Sequence, residues 1–164
     1  MNRIILAAML IAAMALSGCA SKFQTYGGPQ VTRVVVYKAS RKMYLMHHDK
    51  ALRSYEFKLG FAPWGHKVRE GDGRTPEGDY IIDRRNPNSD FHLSIGISYP
   101  NARDMEVARR LGVSPGGDIF IHGTPKPLSR SDRDWTWGCI AVSNKEMEEI
   151  YAMVRNGTRI TIYP

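Results

Sequence analysis

Short runs that are β-branched or alternate apolar and polar residues with a period of two recur along this chain, and a period near 3.6 shows in only two stretches. Thr32 to Tyr37 and Arg41 to His47 are β-branched or alternating runs split by Ala39-Ser40, which predicts a hairpin, and Leu52 to Leu59 alternates again as a third strand. Asp79 to Asp83 and His92 to Ser98 predict two more strands, separated by the turn-rich run from Arg84 to Asp90. Asp118 to His122 reads as a short buried strand with His122 at its end, Cys139 to Val142 is apolar, and Thr158 to Tyr163 alternates as a closing strand. Between Gly60 and Gly78, five glycines and two prolines predict a long loop of the kind that usually carries function or mobility.

The helical stretches are modest. Asn101 to Leu111 puts Met105, Ala108 and Leu111 on one face, with Gly112 as a stop. Ser143-Asn144-Lys145-Glu146 has the Ser-x-x-Glu capping pattern, and Met147, Ile150, Tyr151 and Val154 recur at helical spacing behind it. The sum is a mostly β (α+β) domain with one or two flanking helices and no internal repeat.

The N-terminus changes the domain count. Arg3 precedes an unbroken apolar run of 13 residues, Ile4 to Leu16, which suits a signal-peptide core and falls short of the ~20 residues a spanning helix needs. Leu16-Ser17-Gly18-Cys19 then resembles a bacterial lipobox, in which Cys19 is diacylated and becomes the first mature residue. The plainer alternative is an ordinary secretory cut near Ala13-Met14-Ala15 that leaves Cys19 as a stray thiol. The organisation expected is a lipoprotein signal peptide at 1–18, a polar lipidated tether at 19–30 and one catalytic-sized domain at 31–164. Ala20-Ser21 carries no acidic residue after the cysteine, which favours the outer membrane, at the periplasmic face of the envelope.

Of the full chain's net charge of +7, loss of residues 1–18 removes only Arg3. A basic surface suits an anionic partner such as cell-wall polymer or lipid headgroups, and equally a merely solvated exterior. The cations stand singly or in pairs, with no nucleic-acid motif.

An exported domain that keeps one thiol, Cys139, in an oxidising compartment uses it either as a buried core residue or for chemistry. A thiol attacks carbonyls as the thiolate, so it needs a base, and His122 stands 17 residues upstream at a strand end. Gly138 allows a tight turn before the thiol, N–H groups around Cys139 are candidate oxyanion donors, and the Gly123 carbonyl is a candidate orienting acceptor for His122. On spacing alone such a pair is structural more often than catalytic.

The run Ile121-His122-Gly123-Thr124, followed by Thr136-Trp137-Gly138-Cys139 with Ile140 behind it, resembles the signature of the L,D-transpeptidases, the YkuD-like domain. Thr75-Pro76-Glu77-Gly78-Asp79-Tyr80 is similar to a loop of the same family. His92-Leu93-Ser94-Ile95 and Ser98-Tyr99-Pro100-Asn101 resemble the mid-domain strand of its Gram-negative secreted branch. The likeness runs from about Val31 to Pro164. It implies a β-sandwich or distorted-barrel domain acting on peptidoglycan stem peptides without metal or organic cofactor. In that reaction Cys139 expels the terminal D-alanine of a tetrapeptide, holds the stem as a thioester and passes it to an amine of a second stem or of a wall-linked protein. With water as acceptor the same site is an L,D-carboxypeptidase or endopeptidase, and with an inert thiol the chain is a wall-binding lipoprotein. Trp137 and Ala141 depart from the family's commoner polar residues, and the spacing from His122 to Thr136 is short.

Further candidates are weighed beside these. Thr136, Trp137 and Arg133 flank the thiol, and Arg133 with Asp134 is a candidate for a stem carboxylate. His92 and Tyr80, with Trp64, are candidate cleft walls, each with packing as the alternative. His47, His48 and His66 lack ligand spacing for a metal.

Overall fold

The computed structural model describes residues 21–124 and 133–164; the apolar leader and Cys19 lie outside them. Among the described residues there are eight strands, β1 (Arg33–Tyr37), β2 (Lys42–His47), β3 (Lys50–Glu56), β4 (Gly78–Asn86), β5 (Ser94–Ile97), β6 (Phe120–His122), β7 (Ile140–Ala141) and β8 (Arg159–Tyr163). Two helices, α1 (Ala102–Arg110) and α2 (Asn144–Met153), complete them. The strands form one sheet in the order β3-β2-β1-β8-β4-β5-β6-β7.

Alternation explains the core. β1 pairs in parallel with β8 so that Val34 meets Ile160 and Val36 meets Ile162, and β2 adds Met43 and Leu45 to the same buried layer. β4 runs longer than its sequence pattern predicts. Its first half, Gly78 to Ile81, pairs with β8, a register shift follows between Ile82 and Arg84, and its second half pairs with β5 through Asn86. Arg84 and Arg85 therefore belong to a strand rather than to the turn expected there, because the bulge bends β4 from one partner to the next.

The chain beyond β3 closes the sheet on itself. Lys58 and Ala141 exchange both backbone hydrogen bonds at 2.9 Å, and Phe61 N–H donates to the Thr136 carbonyl at 3.0 Å. The two sheet edges are thereby joined, and the expected β-rich domain takes the form of one curled, barrel-like sheet.

α2 begins at the predicted capping box, with Ser143 and Glu146 bonded reciprocally, and buries Met147, Ile150 and Met153. α1 presents a different face from the one its pattern suggests. Met105 and Leu111 are exposed, whereas Asp104 and Ala108 are buried. Asp104 wins the inward position because it is fully partnered there. Its carboxylate caps Asn101 N–H, accepts from the Tyr80 hydroxyl at 2.9 Å and lies 3.2 Å from His66 Nε2.

The described part of the N-terminal tether, from Ser21, follows the domain surface. Lys22 Nζ donates to the Pro87 and His92 carbonyls at 2.7 and 3.0 Å, Phe23 packs on Tyr151, and Gln24 bonds Glu148. Among the described residues no helix is long and apolar enough to cross a membrane.

Candidate active site

Strand register puts the thiol and the imidazole on one face of the sheet. β6 and β7 are parallel, with Ile121 opposite Ile140 and His122 opposite Ala141, so Cys139, one residue before β7, falls beside Phe120. The Phe120 N–H points at the Cys139 sulfur at 3.4 Å. Side chains alternate across a strand, so Ile121 and Ile140 enter the core while Cys139, Phe120 and His122 share the opposite face. Cys139 and His122 line one cleft of about 270 Å³ with Phe91, Ser94, Asp90 and Asp118.

His122 is held on three sides. Its Nδ1 lies 2.8 Å from the Gly123 carbonyl. A carbonyl only accepts, so Nδ1 carries the proton in the neutral ring and Nε2 offers the lone pair. Phe91 lies against the imidazole at 4.4 Å between centroids, tilted by 33°, and Trp135 meets it edge-on at 5.8 Å. Burial under these rings pushes the His122 pKa below its ordinary value, and the Gly123 bond offsets that only in part. Gly123 itself admits no side chain, since a Cβ there would stand 2.6 Å from Asn144 Oδ1 and 2.9 Å from the Phe91 carbonyl.

Cys139 is partly exposed. Burial of its sulfur pushes the thiol pKa up, the Phe120 N–H draws it down, and the Asp118 charge raises it again. The Sγ–H donates to the Asp118 carbonyl at 3.6 Å. Both shifts favour the uncharged forms, a protonated thiol and a neutral imidazole. Gly138 adopts φ +125°, and a Cβ there would lie 2.5 Å from the Arg74 carbonyl, so the turn before the thiol requires glycine. Its N–H donates to Thr136 Oγ1 at 3.2 Å, which leaves Gly138 contributing the turn and its carbonyl rather than a free oxyanion donor. A second cleft, about 460 Å³, is lined by Lys67, Glu70, Gly116 and Trp137, and shares Cys139 and Asp118 with the first.

The other sequence candidates divide. Trp137 stands 69 % exposed in the second cleft, edge-on to Phe61. Thr136 is buried and its hydroxyl is occupied, donating to the Cys139 carbonyl at 2.7 Å, so it braces the turn instead of facing a substrate. Tyr80 sits in the core beside Asp104, away from both clefts. His92 turns from the first cleft to Glu148, 2.8 Å from its Nε2, and the cleft wall is its neighbour Phe91. Arg133 is exposed on the loop ahead of Trp135, while Asp134 accepts from Leu59 N–H and pairs with Arg41, a loop anchor rather than a carboxylate reader. Trp64 is exposed beneath Arg41. Among the described residues no group of histidine, cysteine and acidic side chains could hold a metal ion.

Three contributors escaped the sequence reading, Phe91 and Trp135 around the imidazole and Asp118 beneath the thiol, and Thr75, noted there only as part of a family-like loop, bonds the Gly138 carbonyl through its hydroxyl. Aromatic residues next to His92 and Thr136 were the available signal for the first two.

Residues 31–162 match the YkuD family model, the L,D-transpeptidase catalytic domain. The chain belongs to that family. Among curated relatives it is similar to YafK of Escherichia coli (strain K12), an L,D-transpeptidase by assignment only, at 27 % identity over 154 residues, covering 87 % of this chain and 57 % of YafK. Among solved structures it resembles the helical cell shape determining protein Pgp2 from Campylobacter jejuni, with a TM-score of 0.62 and 27 % identity over 88 % of this chain and 51 % of Pgp2. An L,D-transpeptidase from Xylanimonas cellulosilytica shares the fold, with a TM-score of 0.53 at 18 % identity, over 85 % of this chain and 63 % of that one. The L,D-transpeptidase domain described here thus spans little more than half the length of the first two relatives.

Proposed function

We propose that this domain is a cysteine-dependent peptidoglycan L,D-transpeptidase. The observation that carries the reading is the placing of Cys139 and His122 on one strand face of one cleft, with His122 Nδ1 tied to Gly123 so that Nε2 is the free base. Substrate binding displaces the thiol proton from the Asp118 carbonyl to Nε2, and the sulfur adds to the carbonyl carbon of the third stem residue. The tetrahedral intermediate collapses with loss of D-alanine, whose amine takes the proton from His122, and a thioester remains on Cys139. An incoming amine then gives its proton to Nε2, attacks the thioester and releases the thiol.

Two clefts that share Cys139 as a common wall supply room for a donor and an acceptor, which favours transfer. Similarity to a cell shape determining protein suits action on the wall. Diacylation of Cys19 would hold the domain at the periplasmic face of the outer membrane, within reach of this substrate.

The reading is tested by incubating the purified protein with tetrapeptide muropeptides and identifying products by mass spectrometry. Crosslinked dimers with loss of D-alanine are expected, and Cys139→Ala abolishes them. Shortened monomers alone assign water as the acceptor, and no product from the wild type contradicts the reading.

A further inference from the structure

The loop from Gly60 to Gly78 does more than border the site. Thr75 is fully buried, and its Oγ1 donates to the Gly138 carbonyl at 2.8 Å, one peptide before the nucleophile. The backbones meet here as closely as glycine allows. A Cβ on Gly138 would lie 2.5 Å from the Arg74 carbonyl, and one on Gly60 would lie 1.9 Å from the Gly73 carbonyl and 2.9 Å from Gly138 N.

Behind Thr75 stands an ammonium group that the chemistry does not otherwise use. Lys38 is 1 % exposed, and its Nζ donates to the Thr75 carbonyl at 3.1 Å, to the Gly65 carbonyl at 2.7 Å and to Glu77 Oε1 at 2.7 Å. Three bonds from one buried cation fix the loop's path from the rear. The chain of contacts runs from Lys38 through Thr75 to the Gly138-Cys139 peptide.

The Gly138-Cys139 peptide is a rigid plane, and in its trans form the Cys139 N–H points opposite to the Gly138 carbonyl, away from Thr75. On the other flank Thr136 Oγ1 holds the Cys139 carbonyl at 2.7 Å. The direction of the Cys139 N–H is set by these two hydroxyls, and the Gly138 N–H is already donated to Thr136.

We propose that Thr75 is a positioning residue that aims the Cys139 N–H at the oxyanion of the acyl-transfer step, with Lys38 as its strut. This rests on the thioester reading above. A preorganised donor matters because charge develops on the carbonyl oxygen only as the sulfur adds, and a donor free to rotate loses that advantage.

The test compares Thr75→Val, Thr75→Ala and Thr75→Ser in the full chain. Two reactions are followed: single-turnover acylation by a tetrapeptide muropeptide, and alkylation of Cys139 by iodoacetamide, which forms no oxyanion. Loss of the hydroxyl in the Val or Ala variant is expected to lower the acylation rate about tenfold to a hundredfold with little change in half-saturating substrate. Alkylation and its pH profile stay as in the wild type, and Thr75→Ser restores acylation. Acylation within twofold of wild type in Thr75→Ala overturns the proposal, as does an equal loss in both reactions. A wild type that is alkylated but never acylated overturns the thioester reading itself.

Discussion

His122 Nδ1 lies 2.8 Å from the carbonyl oxygen of Gly123, and that bond decides which ring nitrogen can serve Cys139. A histidine so tied needs no carboxylate to orient it, and it remains a base only while it is uncharged. Burial against Phe91 and Trp135 favours the uncharged ring.

The pH dependence of acylation follows. Burial places the His122 pKa below the ordinary value of 6.5, so the rate should hold as pH falls through 6.5 and drop only below it. On the alkaline side it should stay level until the thiol itself ionises, at a pKa that burial has pushed up, because the proposed reacting pair is thiol and neutral imidazole. Single-turnover acylation measured from pH 5 to 9 checks this, and an acidic inflection above 6.5 would contradict it.

The same histidine makes stability depend on pH. Its folded pKa is depressed, so between that value and 6.5 the unfolded chain binds more protons than the folded one. Its contribution is therefore complete above 6.5 and is lost as pH falls through the folded pKa. The melting temperature of wild type should fall between pH 7.5 and 5.0 more than that of His122→Gln. Parallel curves for the two would remove His122 as the cause.

Phe91→Ala should show what the ring contributes. Removing the ring packed against His122 exposes and loosens the imidazole, so the acidic limb should move up toward 6.5 and turnover should fall about tenfold to a hundredfold. Loss of turnover with an unmoved limb would mean that Phe91 shapes the cleft without shielding the base.

Asp118 acts on the thiol by charge. Asp118→Asn keeps a residue that tolerates the positive φ of 54° and removes the anion that raises the Cys139 pKa. Alkylation of Cys139 should become faster at neutral pH, and the gain should shrink in high salt because the carboxylate is 89 % exposed. An unchanged alkylation profile would leave burial alone as the cause of the shift.

Much of this architecture was legible along the chain. Apolar and alternating runs located seven of the eight strands, β7 having been read only as an apolar stretch, and the Ser143 capping box located the start of α2 to within a residue. What escaped depended on contacts distant in sequence. Asp104 turns inward because Tyr80 and His66 meet it there, which no helical periodicity could signal and which left Met105 and Leu111 in solvent. Tyr80 lies in a strand that pattern alone could not assign to core or cleft. His92 is drawn away by Glu148, 56 residues later. The proximity of His122 and Cys139 suggested by family resemblance corresponds to one shared cleft, which follows from β6 and β7 lying parallel in register. The brace from Thr75 to Gly138 spans 63 residues and became visible only once the sheet had curled.

The central claim is that Cys139 becomes acylated with His122 as its base. Intact-protein mass spectrometry after acid quenching of a reaction with tetrapeptide muropeptide tests it most directly. An adduct of the stem minus D-alanine on Cys139 is expected, absent in Cys139→Ala and slowed by orders of magnitude in His122→Ala. A wild-type protein that stays at its unmodified mass while the substrate is consumed, or an adduct that persists in Cys139→Ala, would contradict it.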